Sequence, residues 1–216
     1  MKKLDFRITA ERTIGYSLIV PDDFDNAKSY PMVVFLHGAG ERGNGADELC
    51  KATAVALPKH LLNGALSIDA IVLCPQCPTD RVWNQFIFDL KALIDRIADE
   101  YRVIKSRISV TGLSMGGFGT WEIGMTFPSA FSAIAPICGG GMAWRTPALN
   151  GKPVWAFHGN KDNVVNISNT IDMVTRARAA GADVKFTIFD GVDHNSWDAA
   201  YLDTRVLDWL VSQSLK

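Results

Sequence analysis

Three side chains in the second half of the chain have the types that acyl transfer requires. Ser114 stands between two glycines in Gly112-Leu113-Ser114-Met115-Gly116. A serine hydroxyl is a weak nucleophile at neutral pH and needs a base to take its proton. His194, in Gly191-Val192-Asp193-His194-Asn195-Ser196-Trp197, is the imidazole best placed for that task. A carboxylate must then fix the ring tautomer and stabilise the imidazolium. Asp162, in His158-Gly159-Asn160-Lys161-Asp162-Asn163, answers that need. Each assignment has a plainer rival. Asp162 could cap the helix after it, although Asn163 and Asn166 are nearer caps. Asp193 adjoins the histidine, but neighbouring side chains in an extended loop point different ways. His60 reads as a surface residue of a helix, and His158 as a packed residue closing a strand.

A tetrahedral intermediate also needs two donors for its oxyanion. The N–H of Met115, directly after the serine and at a helix N-terminus, supplies one, with the helix dipole in support. The other should come from the glycine-rich loop His37-Gly38-Ala39-Gly40, with Ala39 N–H the first choice and Gly40 the fallback. These are backbone roles, and a tight turn with no such role would have the same composition. Cys74-Pro75-Gln76-Cys77 has the spacing of a redox pair or half a zinc site. Its flanking prolines break the helix a redox motif would open, and Cys50 and Cys138 have no histidine neighbours. The cysteines therefore read as free structural thiols, and neither metal nor organic cofactor is expected.

The positioning elements are legible from periodicity. Arg107–Thr111 is a β-branched run that delivers Ser114, and the segment after it can run as a helix. The flanking glycines allow a strained serine backbone and a close approach of strand and helix, which is the pattern of a nucleophile elbow. Met32–Leu36 and Ala70–Cys74 are continuous apolar runs of the kind a strand buried on both faces needs. Ile14–Val20, Ala133–Ile137, Val154–Phe157 and Val184–Phe189 complete the strands, with Leu4–Thr9 pairing as a leading hairpin. Helices are expected over Asp47–Leu62, Asp89–Tyr101, Ile167–Ala180 and Trp197–Ser214, with Gly181 a C-cap. Strands alternating with helices predict one α/β domain over residues 1–216, a mostly parallel sheet with helices on both faces. Function in such a sheet gathers beyond the strand C-termini, where the three catalytic candidates fall.

Composition agrees with an ordinary globular protein able to bury a large core: 48% hydrophobic and 21% charged residues over 216 positions. A net charge of −1 and the lack of a basic run argue against a nucleic-acid partner. No apolar run is long enough for a membrane span, and no apolar segment follows Lys2-Lys3 as in a signal peptide. A cytoplasmic address is the expectation.

Several motifs carry a resemblance. Phe35-Leu36-His37-Gly38-Ala39-Gly40-Glu41-Arg42-Gly43, Cys74-Pro75-Gln76-Cys77-Pro78, the Ser114 pentapeptide with Gly117-Phe118-Gly119-Thr120-Trp121, Pro136-Ile137-Cys138-Gly139-Gly140-Gly141, and His158-Gly159-Asn160-Lys161-Asp162 are in register with the strands. Over about residues 14–212 the chain resembles the small bacterial α/β-hydrolases, among them the phospholipase/carboxylesterase and dienelactone-hydrolase-like esterases, with peptidase and feruloyl-type esterase relatives. The order Ser114, Asp162, His194 is the one that fold demands. The resemblance implies an eight-stranded sheet and a serine carboxylesterase acting on a small-molecule or carbohydrate-linked ester. Dienelactone hydrolases proper use a cysteine where Ser114 stands. Trp83 lies along the substrate cleft by the resemblance, Trp197 could wall the acyl or alcohol side, and for both plain core packing competes. The Cys138–Lys152 loop is too short for a lipase lid, so the site should be open. A peptidase or an acyl-protein thioesterase could use the same triad, whereas a non-catalytic binding protein would be expected to have lost part of it. Nothing in the sequence decides the oligomeric state.

Overall fold

A computed structural model describes residues 1–8 and 14–215. Eight strands, β1 (Lys2–Ile8), β2 (Ile14–Val20), β3 (Met32–Leu36), β4 (Ile71–Pro75), β5 (Ile108–Leu113), β6 (Ala133–Ile137), β7 (Pro153–Gly159) and β8 (Asp183–Phe189), form one sheet in the order β1-β2-β4-β3-β5-β6-β7-β8. From β4 to β8 all pairs are parallel, and β1 and β2 add antiparallel. The expected leading hairpin is present, with Thr9 outside the described residues. Helices α1 (Ala56–Leu62), α2 (Ile87–Glu100), α3 (Met115–Thr126), α4 (Ser168–Ala179), α5 (Trp197–Leu202) and α6 (Val206–Ser212) cover the sheet. This is the α/β-hydrolase architecture that the motifs implied.

The continuous apolar strands follow from two cores. Met32, Val34 and Leu36 point to one face with residues of α2, α3 and α4. Val33 and Phe35 point to the other with residues of α1, α5 and α6. Side chains alternate along a strand, so an apolar residue is needed at every position when both faces are covered. Burial of such a side chain is worth roughly 1.5–3 kcal/mol, which makes this central strand the anchor of both layers. No helix among the described residues is long and apolar enough to cross a membrane.

Two helices expected as continuous are divided. Asp47–Leu62 forms a 3-10 turn, Leu49–Thr53, and then α1, because Ala56 has φ 51 and leaves the helical path. Trp197–Ser214 divides into α5 and α6 at Thr204. Its hydroxyl donates to Ala200 O at 2.6 Å and accepts from Val206 N–H at 3.2 Å, ending one helix and capping the next. His60 is not a surface residue: α1 packs on α5, leaving it 7% exposed with Nε2 2.7 Å from Asp198 Oδ1.

Candidate active site

Leu36 pairs with Gly112 and Leu113 with Ile137 across the central strands, so their following loops leave the sheet at one edge. Ser114 sits there between β5 and α3 with φ 52 and ψ −119, a strained backbone for a residue with a side chain. The glycines on either side are obligatory for steric reasons. A Cβ at Gly112 would lie 2.6 Å from both Gly116 O and Leu36 O, and one at Gly116 only 1.8 Å from Leu36 O.

Three loops converge on this turn. The Ser114 Oγ–H donates to His194 Nε2 at 2.9 Å, and His194 Nδ1–H donates to Asp162 Oδ2 at 2.7 Å. His194 keeps some exposure, whereas the Asp162 side chain is buried. Asp162 Oδ1 accepts the N–H groups of Val164 at 2.9 Å and Val165 at 2.8 Å, so it closes a turn as well as holding the imidazole. Burial pushes its carboxyl up, but His194 and those N–H groups outweigh it and hold the group below its ordinary value. Asp193, the rival acid, is exposed and accepts the N–H of His194 rather than facing the ring. The arrangement can move a proton from a hydroxyl to an imidazole steadied by a carboxylate.

The two backbone donor candidates both open a helix. Met115 is the first residue of α3, and Ala39 begins the 3-10 turn Ala39–Glu41, so neither N–H has an acceptor within its own helix. The loop carrying Ala39 is braced by residues that the sequence did not single out. His37 is fully buried, its Nδ1–H donating to Gly38 O at 2.6 Å and its Nε2 accepting Cys77 N–H at 3.0 Å. Burial pushes this imidazole down to about 4, and both contacts suit the neutral ring. Buried Gln76 donates to Glu41 O at 3.0 Å and Glu48 O at 2.7 Å, and accepts from Gly45 N–H at 2.9 Å. The C-x-x-C stretch is thus a strut under the loop. Polar Gln76 inside an otherwise apolar, proline-flanked run was the available signal.

The tryptophans occupy different places. Trp83 has no exposed surface; its ring stacks edge-on to His37 and its Nε1–H donates to His37 O at 2.9 Å. It supports the loop from beneath. Trp197 is half-buried and meets the His194 ring edge-on, with centroids 5.4 Å apart. Arg145 pairs with Glu122 and donates to Thr126 at 3.0 Å, tying the segment after β6 to α3. Among the described residues Cys138, Asp162 and His194 could hold a metal, their ligand atoms lying within 4.8 Å of one another. Asp162 and His194 are already bonded to each other, and burial pushes the Cys138 thiol up to about 12, which disfavours the thiolate a metal needs.

The sequence model of the dienelactone hydrolase family matches residues 70–199. The fold is similar to that of a thermostable esterase, with a TM-score of 0.86 and 33% identity over 98% of this chain and 63% of the other. A feruloyl esterase module from Clostridium thermocellum, in complex with sinapinate, matches with a TM-score of 0.73 and 17% identity, covering 98% of this chain and 87% of that one. In sequence, 74 residues are 30% identical to the bifunctional acetylxylan esterase/xylanase XynS20E of Neocallimastix patriciarum, 34% of this chain and 11% of that protein. The chain also spans 46% of Protein usf of Aquifex pyrophilus, at 29% identity over 105 residues, or 48% of this chain.

Proposed function

Because the chain belongs to the dienelactone hydrolase family, we propose that it is a serine carboxylesterase working through an acyl-enzyme, with residues 1–216 as one catalytic domain. The observation that carries this reading is the continuous line from Ser114 Oγ through His194 to Asp162 at a strained elbow. Ser114 attacks the ester carbonyl while His194 Nε2 takes the hydroxyl proton, and Asp162 stabilises the imidazolium that forms. The N–H groups of Met115 and Ala39 receive the oxyanion. His194 returns the proton to the leaving alcohol, then activates the water that releases the acid and regenerates Ser114.

The substrate proposed is a small or carbohydrate-linked ester, supported by the acetylxylan esterase and feruloyl esterase among the similar proteins. Trp197, beside the base, is the side chain suited to flank it. All four cysteines are free, as suits the reducing cytoplasm. A fluorophosphonate probe should label Ser114 stoichiometrically, and Ser114→Ala should fold normally yet lose nearly all turnover of p-nitrophenyl acetate. A Ser114→Ala protein that keeps most of that turnover would sink the assignment. A panel of matched ester, thioester and amide substrates should give its highest kcat/KM on the ester.

A further inference from the structure

We propose that His158 is a positioning residue for the site: it shares the Asp162 oxygen that faces His194 and keeps that carboxylate aimed at the base. The inference rests on the serine esterase reading above. His158 closes β7, four residues before Asp162, and is fully buried. Its Nε2 lies 2.9 Å from Val165 O and 3.1 Å from Asp162 Oδ2, and both atoms are acceptors. Nε2 must therefore carry a hydrogen. Nδ1 lies 2.7 Å from Thr170 Oγ1, so both ring nitrogens have a polar partner. Thr170, on α4, is also 2.5 Å from Gly139 O, whose loop lies against Gly117 of the elbow helix.

The consequence for Asp162 follows from counting. A carboxylate offers about four lone-pair positions. Here Oδ1 takes two backbone N–H groups, Oδ2 takes the imidazole N–H of His194, and His158 Nε2, bonded to Val165 O, lies 3.1 Å from the same Oδ2. Three hydrogen bonds and the adjoining His158 ring hold the group, which cannot turn without losing several contacts at once. Remove His158 and Oδ2 is held by His194 alone, the ring that must shift its attention between Ser114 and the leaving group. A purely packing role would not need a polar ring here, since burying two ring nitrogens is favourable only when both are hydrogen-bonded.

The two amide substitutions separate positioning from packing. A glutamine nitrogen can stand where Nε2 is and donate to Asp162, whereas an asparagine reaches only the Nδ1 position. We expect His158→Gln to keep kcat on p-nitrophenyl acetate within about threefold of wild type. His158→Asn and His158→Leu should lose on the order of 10- to 100-fold in kcat with little change in KM, the scale of losing an outer hydrogen-bond partner. Fluorophosphonate labelling of Ser114 should slow in parallel. Equal kcat for the glutamine and asparagine variants, with melting temperatures near wild type, overturns the proposal. If the asparagine and leucine variants do not fold, Thr170→Val serves. It removes the hydroxyl that docks Nδ1 and should lower kcat about 3- to 10-fold at unchanged KM, and an unchanged kcat overturns the idea. A wild-type protein that does not label at all refutes the esterase reading instead, so the two failures are distinct.

Discussion

Asp162 and His37 show how differently two buried polar side chains can be read from a sequence. The place of Asp162 beside His194 was legible because the proposed chemistry restricts the answer: a base after one strand and a nucleophile after another call for an acid in the loop between. Asp162→Asn should keep the fold and its turn at Val164 and Val165, yet favour the wrong tautomer of His194. A fall in kcat on the order of 10⁴-fold is expected, read with p-nitrophenyl acetate across the pH range. His37 was not legible, because its value lies in its two ring nitrogens meeting one carbonyl and one distant N–H. No periodicity announces such a contact. The cysteines are intermediate. Their burial follows from the apolar strand that carries Cys74 and the one that Cys138 directly follows, and only Cys50 is exposed. A disulfide-exchange reagent should count one thiol per native chain and four after denaturation.

At the scale of elements, boundaries set by sterics were easier to anticipate than breaks set by hydrogen bonds. The elbow was visible as strand, glycine, serine, glycine, helix. Gly116→Ala should fail to fold or lose several kcal/mol, because its methyl would sit 1.8 Å from Leu36 O, which belongs to rigid sheet backbone. Gly40→Ala is the control: nothing lies within 4 Å of a Cβ there, so its melting temperature should stay close to wild type. Chemical denaturation of the pair checks both. The divided helices escaped prediction for a different reason. Apolar spacing from Trp197 to Leu210 continues across Thr204, while the break is decided by one hydroxyl bridging Ala200 O and Val206 N–H. Likewise Ala56 gives no compositional warning of its positive φ.

For the whole molecule, the two-sided core made the sheet and its helical layers readable, whereas contacts between layers were not. His60 on α1 reaches Asp198 on α5, 138 residues away, and a one-dimensional pattern cannot register that. The buried imidazoles also tie stability to pH. His37 stays neutral in the native protein down to about 4, while an unfolded histidine takes up a proton near its ordinary value of 6.5. The unfolded state therefore binds more protons in that window, so stability is full above about pH 6.5 and declines as pH falls toward 4. His158 acts in the same direction, and half-buried Glu41, shifted up, opposes it weakly. Melting temperature should drop steadily between pH 7 and pH 4.5. The spacing of the triad has a consequence in time as well. Ser114 meets its base across 80 residues, in the loop after the last strand of the sheet. On the proposed serine esterase reading, at synthesis rates of about 5–20 residues per second, Ser114 exists for roughly 4–16 seconds before His194 has been made. Until then Ser114 is an ordinary alcohol, and that reading makes completion of the sheet the event that brings it to its base.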